Sequence, residues 1–160
     1  MLKLLPARRE INIVQRRGAL TERQLQKHDA AIIACESAGD RKDAEARLSQ
    51  LPLSASWLRL YREARSRGPV SLLAARMTPA AVPMVVVFVK STSTKFDLLT
   101  LAGRAWKELL TAAPQQVLLG TQGMDASLSG ATLEALTSAA LAGSALMPTF
   151  KSRAAPARAL

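Results

Sequence analysis

Met84-Val85-Val86-Val87-Phe88-Val89 is an unbroken apolar run closed by Pro83 on one side and Lys90 on the other. Six residues is the length of a strand, and four of the six are β-branched, so the run reads as a strand buried on both faces. Such a strand needs a layer of helices above and below it. The chain that follows supplies them in alternation: an amphipathic helix, a second short run Val117-Leu118-Leu119-Gly120, and a helix rich in small residues that leads to Phe150-Lys151-Ser152. Element order of this kind specifies an α/β domain.

The preceding chain repeats the pattern. Residues 29–35 form another continuous apolar run, the look of a central strand, with a turn at Ser37-Ala38-Gly39-Asp40. Asp40 is placed to cap a helix that ends before Pro52, and Asp43 to reach back in the manner of a capping box. A second helix is predicted from Ser54, with Trp57, Tyr61 and Ala64 at helical spacing and a stop at Gly68-Pro69. Residues 70–77 and 84–90 are joined by too few residues for the crossover that neighbouring parallel strands require, so the pair is antiparallel or not adjacent, and the sheet mixed. From Asp97 onward Leu98, Leu101, Ala102, Ala105, Trp106, Leu109 and Leu110 make one apolar helix face. Residues 115–121 give the last strand. In a helix beginning near Ser129, Leu133, Leu136, Ala140, Gly143 and Met147 share a face whose small residues permit close backbone approach. Residues 10–16 alternate, Ile11 and Ile13 against Asn12, Val14 and Arg16, as a half-exposed strand near a sheet edge would. The expected organisation is one α/β domain over 1–152 with a tail or linker at 153–160, and a core containing Ile32, Ile33, Val86, Phe88, Leu118, Trp106 and Leu136.

At 160 residues, 49 % of them hydrophobic, the chain is long enough to bury one substantial core. A single cysteine, Cys35, excludes an internal disulfide and any cysteine-built zinc site, and fits a reducing cytoplasm. The apolar stretch after Met1 is too short for a signal peptide. Pro83 breaks the longest run well before the ~20 residues that span a bilayer, so no membrane association is expected. Twenty-two Lys and Arg against 12 Asp and Glu give a formal charge of +10, which attracts polyanions or acidic partner surfaces.

Where chemistry could sit, the plain structural alternatives are strong. His28 is the one histidine and has no ligand partners at a recognisable spacing. Cys35 ends a buried strand, where a small core residue is the simpler role. Gly120-Thr121-Gln122-Gly123 turns from strand toward helix, as an anion-binding loop does, but lacks both the dinucleotide glycine pattern and the phosphate-loop Lys-Ser/Thr. Lys90-Ser91-Thr92-Ser93-Thr94-Lys95 can either cap a helix or hold a phosphate between Lys90 and Lys95. Arg59, Arg62 and Arg65 recur every three residues as a stripe that could lie along phosphates or an acidic subunit, or be a solvated face partly neutralised by Glu63. The acidic residues are scattered, with no convergent pair for a two-metal site.

The order of elements, closing in Ala139-Ala140-Leu141-Ala142-Gly143-Ser144-Ala145-Leu146-Met147 and then Phe150-Lys151-Ser152, resembles the N-terminal domain of the leucyl (cytosol) aminopeptidase family over nearly the whole chain. The resemblance implies a three-layer, macro-domain-like fold with a mixed sheet flanked by helices. It also implies a parent metallopeptidase with zinc or manganese in a C-terminal domain, assembled as hexamers in the cytoplasm. No residue of that metal site falls within 1–160. The expected function is therefore a non-catalytic accessory or assembly domain, with no cofactor of its own and a peptidase domain in cis as partner. Two alternatives stand beside it: a basic module that binds nucleic acid or a nucleotide-like anion through Arg59, Arg62, Arg65, Lys90 and Lys95, and a small enzyme working with Ser, Thr, Lys and backbone groups.

Overall fold

The computed structural model describes residues 20–37, 39–77 and 81–144. In chain order these form α1 (Glu22–Leu25), β1 (Ala30–Glu36), α2 (Arg41–Ser49), α3 (Ser54–Arg65), β2 (Leu72–Met77), β3 (Val82–Val89), α4 (Lys95–Leu110), β4 (Val117–Gln122) and α5 (Ala126–Ser144). The strand expected at 10–16 and the tail at 153–160 lie outside the described residues.

The described strands make a mixed sheet in the order β2-β3-β1-β4. β1 pairs in parallel with both neighbours, Ile33 opposite Val86 of β3 and Gly120 of β4. β2 runs antiparallel to β3, with Leu73 opposite Val86, so the short connection does join adjacent antiparallel strands. Because side chains alternate across a strand, β1 and β3 each feed two cores. Ala31, Ile33, Cys35, Met84, Val86 and Phe88 face α2 and α3, where Leu48, Trp57 and Tyr61 close over them; the Tyr61 and Phe88 rings lie 5.6 Å apart at 59°. Ala30, Ile32, Ala34, Val85, Val87 and Val89 face α4 and α5, against Leu98, Ala102, Trp106, Leu109, Ala135 and Leu136. The result is a three-layer α/β domain.

Local chemistry explains where the helices start. Asp40 accepts the Asp43 N–H at 2.7 Å at the head of α2. Thr94 and Asp97 form a complete capping box on α4. Asp125 accepts the Leu128 N–H at 2.8 Å, which starts α5 a turn earlier than its apolar pattern suggests. α3 has no side-chain cap and instead begins from Leu53 held at φ 61°, a turn that the residues Pro52-Leu53 do not advertise.

Three expectations about packing change. Leu110 is 50 % exposed, because at helical spacing it falls off the buried row of Leu98, Ala102, Ala105, Trp106 and Leu109. Leu118 is half-buried, since β4 is the outermost of the described strands. The buried row of α5 is Thr132, Ala135 and Leu136 rather than one running through Leu133. The close approach itself is present: a Cβ on Gly143 would overlap the indole nitrogen of Trp106 on α4. Among the described residues no helix is long and apolar enough to cross a membrane.

Candidate functional site

β1, β3 and β4 are parallel, so their C-terminal ends share one edge of the sheet. The helix after β1 covers one face and the helices after β3 and β4 cover the other. Where connections part to opposite faces in this way, α/β domains open a crevice that holds ligands. The residues delivered there are Ser37, Gly39 and Asp40 after β1, the loop from Lys90 to Thr94 after β3, and Gln122, Gly123 and Asp125 after β4.

The crevice between β1 and β4 is roofed by α2. Gln122 Nε2 donates to Gln50 Oε1 at 3.2 Å, and the Arg47 guanidinium lies directly on Gly123, where a Cβ would collide with it. Gly123 sits at φ 71°, so its lack of a side chain serves both the turn and the arginine. Arg47 Nε is 3.6 Å from Asp43 Oδ1. The same arginine is the nearest positive influence on Cys35, but burial dominates and pushes that thiol up to about 12. A fully buried thiol that holds its proton is a poor nucleophile.

The three helix N-termini at this edge already carry anions of their own. Asp40 occupies α2 and Asp125 occupies α5. At α4, Asp97 Oδ2 accepts from Thr94 N–H at 2.8 Å and from Thr94 Oγ1 at 2.7 Å, bonds that lower its pKa. A phosphate arriving at any of these positive helix ends would meet a carboxylate first. The hydroxyl-rich loop therefore caps: Ser93 Oγ accepts the Lys90 N–H at 3.2 Å, and Thr94 serves α4. Its two lysines are parted. Lys95 Nζ reaches Glu134 Oε1 on α5 at 3.0 Å, whereas Lys90 stays exposed beside Gly39. The turn expected at Gly120-Thr121-Gln122-Gly123 is mostly strand, since β4 pairs with β1 as far as Gln122, and Thr121 Oγ1 is engaged with Ser129 Oγ at 2.6 Å.

The arginine stripe on α3 is divided too. Arg62 grips Glu45 of α2 through Nε at 3.2 Å and Nη2 at 3.1 Å, and Arg41 joins the same carboxylate at 2.8 Å. Those arginine hydrogen bonds, outweighing a small burial effect, hold the Glu45 carboxyl down at about 2. Glu63, expected to neutralise the stripe, instead pairs with Arg67 at 2.8 Å. Arg59 and Arg65 are exposed and form no ion pair with another described residue. The sequence reading missed Glu45 and Arg47; the i,i+4 spacing of Arg41 with Glu45 was the available signal for the first. His28 turns its Nδ1 to Gln24 C=O at 2.7 Å, a local contact.

Much of the net positive charge falls outside the described residues. Residues 1–19 hold Lys3, Arg8, Arg9, Arg16 and Arg17 against Glu10, and residues 145–160 hold Lys151, Arg153 and Arg158 with no acid. The two terminal segments thus supply seven of the ten net positive charges. At the opposite edge of the sheet a cavity of about 180 Å³ is lined by Ala74, Arg76, Pro83, Glu108 and Thr111. Among the described residues no group of three or more His, Cys, Asp or Glu side chains could hold a metal ion. Comparison of the chain with protein-family models, with curated proteins and with solved structures gives no match.

Proposed function

We propose that this chain is an accessory α/β domain that positions a companion catalytic domain, in the manner its resemblance to the leucyl aminopeptidase N-terminal domain implies. The observation that carries the reading is the outer stripe of α4. Phe96 is 77 % exposed, Leu99 41 % and Leu110 50 %, and with Gly103 these residues fall on one side of the helix, away from the buried row. Exposed large apolar side chains that share one side of a well-formed helix are the kind of feature that association surfaces use. Its occupant is a peptidase domain on the same polypeptide, which would carry the zinc or manganese and work in the cytoplasm within a larger oligomer. The coding sequence downstream of Leu160 tests this directly. Continuous sequence bearing a Lys/Asp/Glu metal set is the expected result, and an immediate stop codon overturns the reading. Residues 1–160 alone should not hydrolyse an aminoacyl anilide with zinc or manganese present.

The basic-module alternative rests on the charge of the two terminal segments rather than on the stripe. Its test is binding to duplex DNA across a salt series. A steep loss with salt that survives replacement of Arg59, Arg62 and Arg65 by Ala would place the contacts outside the stripe.

A further inference from the structure

The cavity at the β2 edge of the sheet has a cause that the strand register makes plain. Ala74 stands opposite Val85 and Arg76 opposite Pro83, so all four side chains leave the sheet on the face where Val85 meets α4. Leu109, the last buried residue of α4, comes down on that face, and the small side chains of Ala74 and Pro83 leave a space of about 180 Å³ beside it. Two opposite charges line this space, Arg76 from β2 and Glu108 from α4. Neither side chain forms an ion pair or hydrogen bond with the other or with any other described residue. Glu108 lies in the last turn of α4, where the helix dipole disfavours a carboxylate and draws a cation. The cation best spaced to answer it, Arg104 four residues earlier, turns instead to Ser71 Oγ at 3.4 Å. Both Arg76 and Glu108 are exposed, so each can close on a ligand in the cavity without giving up a partner among the described residues.

We propose that this cavity binds a small zwitterionic amino acid, its carboxylate held by Arg76, its ammonium group by Glu108, and its apolar side chain set against Val85 and Leu109. A zwitterion satisfies both charges at once, whereas a simple anion or cation leaves one of them unanswered. Size points the same way. A cavity of about 150 Å³ accommodates benzene, so about 180 Å³ suits a ligand of roughly six to eight heavy atoms, the range from alanine to valine. The cavity includes none of Phe96, Leu99, Gly103 or Leu110, so the inference stands whether or not a companion domain docks on that stripe.

Amide NMR titration of the full chain tests this with three probes of nearly one shape: valine, isovalerate, which lacks the ammonium group, and isobutylamine, which lacks the carboxylate. Valine should shift the amides of Ala74, Val85, Leu109 and Thr111 saturably, with a Kd on the order of 1 mM for a ligand of this size. Isovalerate and isobutylamine should each bind at least about tenfold more weakly. Arg76→Gln should weaken valine about tenfold and leave isobutylamine unchanged, and Glu108→Gln should weaken valine as much and leave isovalerate unchanged. Both substitutions are at exposed positions, and unchanged amide signals from β1 certify that the variants remain folded. Absence of saturable shifts with valine overturns the proposal. Equal binding of the three probes overturns it too, as does a loss on Arg76→Gln that is the same for valine and isobutylamine.

Discussion

The two helical layers hold the same sheet by different means. α2, α3 and the turn after α3 carry Arg41, Asp43, Glu45, Arg47, Arg62, Glu63 and Arg67 in ion pairs, and the two helices seal their core with Trp57 and Tyr61. α5 has one charged residue, Glu134, in nineteen, and meets α4 through small side chains. The first layer is anchored by large side chains and clasped at its surface by Glu45. The second depends on how closely two backbones can approach. A layer of the first kind tolerates the loss of surface contacts and suffers from loss of an anchor. A layer of the second kind suffers from the addition of a methyl group.

The largest effect should come from removing the anchor. Trp57 is fully buried, and Trp57→Ala should cost about 3–5 kcal/mol by urea denaturation, as large cavities in cores do. Its Nε1 has no hydrogen-bond partner, and neither has that of Trp106. Trp57→Phe therefore discards an unsatisfied donor along with part of the ring, and should cost well under half as much. A Trp57→Ala variant as stable as the unsubstituted chain would remove the distinction between the layers.

In the second layer Gly143→Ala should cost about 1–3 kcal/mol, because the new methyl group must displace the Trp106 indole. The sharper measurement is the double mutant with Trp106→Ala, in which the penalty should vanish. Full additivity would mean that α5 does not rest on Trp106.

How much of this was legible beforehand differs between the layers for the same reason. The runs 29–35 and 84–89, Trp57 with Tyr61, and the cap at Asp40 announce themselves because periodicity, side-chain size and capping are local signals. The mixed sheet followed from one short connection. The buried row of α5 was misplaced because a helix of Ala, Gly, Ser, Thr and Leu has almost no polar face to contrast with an apolar one. The site was harder still. That Asp40, Asp97 and Asp125 occupy the helix ends was readable in part, since each precedes or opens a helix. That α2 crosses to β4, bringing Arg47 onto Gly123 and Gln50 onto Gln122, is a matter of helix direction, which no local pattern encodes.

The clasp on the first layer makes a pH prediction. The Glu45 pKa is lowered in the fold from its ordinary 4.5 to about 2, so the unfolded chain binds its proton first as pH falls. Stabilisation by this carboxylate is complete above pH 4.5 and is lost on the way down to about pH 2. The stability gap between the unsubstituted chain and Glu45→Gln should be constant from neutral pH to about pH 5 and close below it. A gap that widens on acidification would show that Arg41 and Arg62 do not hold the ionised form.

The smallest effect is expected where α3 carries charge without a described ion-pair partner. Arg59→Ala with Arg65→Ala should change stability by no more than about 0.5 kcal/mol, the usual range for surface positions without a special role. Arg62 is left in place, so the Glu45 clasp survives and any change in binding belongs to the two exposed guanidinium groups. If they lie along a polyanion, each would release counterions on contact, and the log–log salt slope of duplex DNA binding would fall by about 0.9 for each arginine removed. The expected outcome is an unchanged slope, because Arg62 between them is committed to α2 and the seven excess charges lie in the terminal segments. A slope reduced by nearly two units would make the charged layer a binding surface, and would reverse the contrast by giving the apolar layer the purely structural role.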